Sequence, residues 1–203
     1  MLDLNVKFLE PGETLICFGD SLTFADPGYV SILQNKLTEN TVINAGQGGD
    51  KAATAMLRFK EQVLDKKPDG LSIFFGANDA MVGRGRWADE PMISPEAYRN
   101  SLVWLVHVAR LSGIKKISII VPLPLTEGEV WHEQGDIYAS YCMMARQAAN
   151  EMKVPYVPLD TIFRDEWRKN PGKTGLLFTA DGVHPTQEGY QIIAESILKY
   201  WHI

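Results

Sequence analysis

Leu15-Ile16-Cys17-Phe18-Gly19-Asp20-Ser21-Leu22 is a short apolar run that stops at a glycine and turns polar. Leu15 to Phe18 read as a buried strand, being apolar, short and closed by a turn residue. Gly19-Asp20-Ser21 is then the turn at its carboxyl end. Open α/β sheets bind ligands outside the carboxyl ends of their strands, so Ser21 stands where a nucleophile is useful. Serine at such a turn is also a common helix cap, and the rest of the chain has to decide between the two.

Outward from this stretch the same pattern repeats. Residues 1–14 are an irregular lead-in with a turn at Pro11-Gly12. Asp26-Pro27 reads as an N-cap with proline at the first helical position, opening a helix that runs to about Thr38. Thr41 to Asn44 form a second short strand, ending in Ala45-Gly46-Gln47-Gly48-Gly49-Asp50, and a helix bearing Ala52, Met56, Phe59 and Val63 follows. Leu71 to Phe75 are a third strand, ending in Gly76-Ala77-Asn78-Asp79. Residues 81–93 read as a loop. Ser94-Pro95-Glu96 then opens a helix with a capping serine, a first-position proline and an early acid. Ile117 to Val121 are a fourth strand, and residues 125–136 a second long loop. A helix carries Ile137, Tyr141, Met144, Ala148 and Met152. Residues 154–159 form a fifth strand, whose prolines, Pro155 and Pro158, suit a sheet edge. Residues 161–180 show no clear period. The last helix places Tyr190, Ile193, Ile197 and Trp201 on one face. Apolar strands alternating with helices predict a single α/β domain over residues 1–203: a three-layer α/β/α sandwich around a parallel sheet of about five strands.

Composition limits the function classes. The chain has 203 residues, one domain's worth, with 25 acidic against 20 basic residues and a net charge of −5. No Lys/Arg run exceeds two residues, so no basic stripe marks a nucleic-acid partner. No apolar run approaches a membrane span. Met1 to Asn5 lack a basic region followed by a long apolar stretch, so no secretory signal is read and a cytoplasmic protein is expected. The two cysteines, Cys17 and Cys142, fall in a strand and a helix, which argues against a disulfide framework.

Three strands end in polar or glycine turns, and a parallel sheet puts those turns on one edge. Asp181-Gly182-Val183-His184-Pro185 is a further tight turn on which Asp181 and His184 can face the same side. A serine hydroxyl is a weak nucleophile and needs an adjacent base. His184 can take its proton, since an unperturbed imidazole, with a pKa of roughly 6.5, is mostly neutral at pH 7. Asp181 would hold the ring's tautomer and stabilise the imidazolium. The amides of Ser21 and Gly49 and the Asn78 carboxamide are the natural oxyanion donors, each typically worth about 3–4 kcal/mol of barrier. Gly48 competes with Gly49 for that part, and the spacing from Asn44 favours Gly49.

The blocks Gly19-Asp20-Ser21-Leu22, Asn44-Ala45-Gly46 with Gly49, Gly76-Ala77-Asn78-Asp79 and Asp181 to Pro185 resemble those of the GDSL, or SGNH, hydrolases, in the family's order across residues 19–185. Two departures stand out: Thr23 is followed by Phe24-Ala25 where the family often has a glycine, and Gly48-Gly49-Asp50-Lys51 replaces the usual Ser-Gly-Asp-Thr. The resemblance implies a flavodoxin-like fold and ester hydrolysis through an acyl-enzyme, with neither metal nor cofactor. By position it makes Ser21 the nucleophile, Asp181 and His184 the rest of a triad, and Ser21, Gly49 and Asn78 the oxyanion hole.

Other readings of these residues carry less. Asp20 and Asp79 read as braces for their turns. Together with Asn78 and His184 they could instead hold two metals, as in a metal-dependent phosphoesterase, but such sites want more histidines. A binding module on the same fold is opposed by the intact set of polar residues. The Gly46–Lys51 turn fits neither phosphate-binding pattern. His107, within a helix, and His202, at the C-terminus, read as bystanders. Trp87, Trp131 and His132, on the two loops, are candidate substrate contacts, with packing or a subunit contact the alternative for the tryptophans; Arg84 and Arg86 would attract an anion or face solvent. The expected partner is a small ester, a short acetyl-type ester on a carbohydrate being preferred over a lysophospholipid or an acyl thioester. Nothing in the spacing decides for or against a homo-oligomer.

Overall fold

The computed structural model describes residues 7–81, 91–173 and 175–203. Five parallel strands, β1 (Thr14–Gly19), β2 (Thr41–Gly46), β3 (Gly70–Phe74), β4 (Lys116–Ile120) and β5 (Tyr156–Val157), form one sheet in the order β2-β1-β3-β4-β5. β1, β3 and β4 are buried almost throughout, which is why they read as continuous apolar runs. β5 is a two-residue edge strand, as Pro155 and Pro158 suggested.

The helices are α1 (Ser21–Phe24), α2 (Tyr29–Lys36), α3 (Ala52–Gln62), α4 (Ala77–Ala80), α5 (Pro95–Leu111), α6 (Gly128–Gln134), α7 (Ala139–Met152), α8 (Leu159–Arg168) and α9 (Gln187–Tyr200). α5 packs on α3 and α7, while α9 packs on α2 and α8, so two helical layers enclose the sheet. α5 begins as its sequence predicted: Ser94 Oγ accepts the Ala97 N–H at 3.2 Å, Pro95 is the first helical residue, and Tyr98, Leu102, Leu105, Val106 and Ala109 are buried. Tyr190, Ile193, Ile197 and Trp201 are likewise buried on or just after α9. The lead-in is anchored to the C-terminal end of the chain, with Phe8 stacked on Trp201 at a centroid distance of 4.3 Å.

Three readings are corrected. α2 starts at Tyr29, not Pro27: Gly28 is its extended N-cap and donates its N–H to Ser31 Oγ at 2.9 Å, leaving Asp26 and Pro27 outside the helix. It also ends at Lys36, ahead of Thr38. Residues 125–136 are not loop throughout, since α6 occupies their middle; its polar residues hide any apolar period. The illegible segment 161–180 begins within α8, which buries only Leu159 and Phe163 and whose Asp160 takes a bidentate ion pair from Arg146 at 2.6–2.7 Å.

The sheet order explains where the site sits. From β1 the chain moves outward to β2, then returns past β1 to β3. Strand order therefore reverses between β1 and β3, and ligands bind at such a switch point, beyond the carboxyl ends of the strands. The register aligns Gly19 with Gly46 on one side and Phe74 on the other, so three turns leave the sheet at one level.

Candidate active site

Asp20 ends β1 and caps α1. Its Oδ1 accepts the Leu22 N–H at 2.9 Å, and its carbonyl accepts the amides of Thr23 and Phe24. Ser21 is thus the first helical residue, and its own N–H has no protein acceptor among the described residues. From the other end of the chain, the Ser21 Oγ meets His184 Nε2 at 3.1 Å, and His184 Nδ1 lies 2.7 Å from Asp181 Oδ2. The second Asp181 oxygen accepts the amides of Val183 (2.9 Å) and His184 (2.7 Å), which closes the turn. Burial alone would raise the Asp181 carboxyl, but hydrogen bonds from the His184 amide and ring and the Val183 amide outweigh it and hold the group below the ordinary carboxylate range. Hydroxyl, imidazole and carboxylate stand in line, an arrangement that can pass a proton from oxygen to ring and hold the resulting cation.

The hairpin under this turn is well braced. Ala180 donates to the His184 carbonyl and Thr186 to the Phe178 carbonyl, each at 2.8 Å. Glu127, buried at the start of α6, accepts the amides of Leu177 (2.5 Å) and Phe178 (3.0 Å). Gly182 has a φ of +94° and packs backbone to backbone on Gly128, where an added Cβ would lie 2.7 Å from the Glu127 carbonyl. Sequence reading missed Glu127: an acid in a polar segment carries no sign that it is buried.

The second turn holds Gly49 at a φ of +77°, the left-handed region glycine tolerates. Asp50 N–H closes it onto the Gln47 carbonyl at 3.3 Å. The Gly49 N–H, like that of Ser21, meets no protein acceptor among the described residues. Asn78, on α4, donates from Nδ2 to the Asp50 carbonyl at 3.0 Å, which seats the carboxamide one residue from Gly49 and leaves its second N–H for another acceptor.

Asp79 also braces, accepting the Ala52 N–H at the head of α3 with both oxygens (3.1 and 3.2 Å). Burial pushes the carboxyls of Asp20 and Asp79 up to about 7, against the pull of those amides, with the neighbouring Asp50 adding to both. This sets a pH dependence. The unfolded carboxyls ionise near 3.8 while the folded ones keep their protons to about 7, so stability falls as pH rises across that window. The thermal midpoint is expected to drop between pH 5 and about 7.5 and to drop less in Asp79→Asn. An identical slope in that variant would mean that Asp79 ionises normally.

Among the remaining candidates, Trp131 is half-buried against the core and His132 is exposed, both on α6. α6 starts against the Asp181–His184 turn, but neither side chain hydrogen-bonds to Ser21 or His184. Trp87, with Arg84 and Arg86, lies outside the described residues. His107 is exposed on α5 and His202 follows α9. No cluster of three or more metal-ligating side chains occurs among the described residues, and no helix there is long and apolar enough to cross a membrane.

A doubly wound α/β/α sheet with this hydroxyl–imidazole–carboxylate line beyond its switch point has the architecture of the α/β ester hydrolases. The chain belongs to the GDSL-like lipase/acylhydrolase family, whose model matches residues 17–192. It is similar to the uncharacterized lipoprotein YqeF of Bacillus subtilis (29% identical, covering 91% of this chain and 88% of YqeF) and to an acetylxylan esterase of Geobacillus stearothermophilus (28% identical, covering 93% of each). Among solved structures, LAE5, an alpha/beta hydrolase from the metagenome of Lake Arreo, Spain, superposes with a TM-score of 0.85 at 20% identity, covering 97% of this chain and 98% of that one.

Proposed function

We propose that the chain hydrolyses small acetyl-type esters, with Ser21 as nucleophile, His184 as general base and Asp181 as the group that orients and charge-balances the ring. The observation that carries this reading is the relay of 3.1 Å and 2.7 Å from Ser21 Oγ through His184 to Asp181. In the first half-reaction His184 Nε2 takes the hydroxyl proton as Oγ attacks the ester carbonyl. The oxyanion forms within reach of the Ser21 and Gly49 amides and the Asn78 carboxamide. His184 then returns the proton to the departing alcohol oxygen, leaving Ser21 acylated. A water, deprotonated by the same ring, releases the acid and restores the hydroxyl.

Two observations support a small acyl group. One is the likeness to an acetylxylan esterase. The other is the cavity beside the serine turn, lined by Leu22, Ala77, Pro122, Leu123, Gly182 and Val183 among others, which holds about 10 Å³. That is enclosed room on the scale of one water molecule, which a short acyl group matches. The expected acyl-length profile is steep: p-nitrophenyl acetate cleaved at least about tenfold faster in kcat/KM than the octanoate, with the palmitate slower still, since a longer chain has to displace packed side chains at a cost of about 1–3 kcal/mol. A maximum at eight carbons or more would overturn the acetyl preference and point to a lipid ester.

A further inference from the structure

The three turns of the site leave different strands, yet one side chain outside them touches two directly and reaches the third through a single residue. Arg58 lies midway along α3 with its side chain only 10% exposed. Its guanidinium covers the Phe18 ring at 4.3 Å. Nη2 donates to the Gly19 carbonyl, immediately before Asp20-Ser21, at 2.8 Å. Nη1 donates to the Ala45 carbonyl near the end of β2, also at 2.8 Å. Nε donates to Asp50 Oδ2 at 2.6 Å, and that carboxylate is itself only 4% exposed. The other Asp50 oxygen accepts the Lys51 amide and the Thr54 hydroxyl, and the Asp50 carbonyl takes the Asn78 carboxamide.

The Gln47–Asp50 turn depends on these ties. At its start Gln47 N–H donates to the same Gly19 carbonyl at 3.0 Å. At its end Asp50 is held by Arg58. Between them, an added Cβ on Gly48 or Gly49 would meet nothing within 4 Å, so the outer side of the turn is open. The direction of the Gly49 N–H is therefore set by the two anchored ends.

We infer that Arg58 is a positioning residue that holds the Gly49 amide and the Asn78 carboxamide in register with Ser21. The inference rests on the reading of Ser21, Gly49 and Asn78 given above. A planar guanidinium suits the task because it presents its donors in fixed directions to a carboxylate and to two carbonyls from different strands. A lysine ammonium is a single point on a flexible stem and cannot hold all three. Donors that strengthen their grip only on the oxyanion act on kcat and kcat/KM together and leave ground-state binding alone.

The test compares Arg58→Lys and Arg58→Ala with wild type on p-nitrophenyl acetate, with Ser21→Ala as the control. Expected is a fall in kcat of about 10- to 100-fold with KM within about twofold. Labelling by a serine-reactive phosphonate should slow in proportion. Guanidinium ion at millimolar concentration should recover part of the kcat of Arg58→Ala and none of that of Ser21→Ala. A folded Arg58→Lys with wild-type kcat, or a change confined to KM, overturns the inference. Should Arg58→Ala fail to fold, Arg58→Lys carries the test, because it keeps a cation beside Asp50. An active Ser21→Ala would defeat the underlying functional reading, whereas an inactive Ser21→Ala beside fully active Arg58 variants would defeat only the role given to Arg58.

Discussion

Replacing Ser21 with Ala is expected to lower kcat/KM on p-nitrophenyl acetate by at least about 10⁴-fold while leaving the fold unchanged. The size follows from the mechanism: without the hydroxyl there is no acyl-enzyme, and only the oxyanion donors and substrate binding remain to accelerate attack by water. The fold survives because Ser21 is partly exposed and, among the described residues, its Oγ hydrogen-bonds to His184 alone. The cap on α1 belongs to Asp20, not to Ser21. Circular dichroism and the thermal midpoint should match wild type, and a serine-reactive phosphonate should no longer label the protein. Turnover within tenfold of wild type would remove the hydroxyl from the reaction.

Asp181→Asn is the second large effect, a loss on the order of 10³-fold in kcat. An asparagine at 181 can still accept the Val183 and His184 amides through its carbonyl oxygen, so the turn keeps its shape. The atom facing His184 Nδ1, however, becomes an NH₂ group. It donates where a proton has to be accepted, driving the ring into the tautomer whose Nε2 carries hydrogen toward Ser21. That nitrogen can no longer take the hydroxyl's proton. The loss is set below that of a buried triad because both side chains are about half exposed, 49% and 53%, and water can replace part of the carboxylate's work. A kcat within threefold of wild type would show that Asp181 shapes the turn and does not assist the proton transfer.

The pieces of this molecule legible in the chain were those carried by local pattern. Short apolar runs closed by glycine announce β1 and β3, and one closed by Pro122 announces β4, because strands covered on both faces have no polar side to show. The Ser94-Pro95-Glu96 sequence announced α5, because capping is a contact between neighbours in the chain. Asp26-Pro27 carries the same signal two residues ahead of α2, whose cap is Gly28. α6 is illegible because Gly-Glu-Val-Trp-His-Glu-Gln shows no apolar face.

The sequence by itself determined the layered α/β architecture and the strand-end turns and pointed to Ser21, Asp181 and His184, because each is written in residue types a few positions apart. Only the tertiary structure decided that Ser21 and His184, 163 residues apart, stand 3.1 Å from one another. It alone gave Arg58 and Glu127 their places, tying β1 to β2 and α6 to the Asp181 hairpin. Such contacts join side chains to backbone groups far along the chain, and a backbone carbonyl or amide looks the same at every position until folding brings it to a partner.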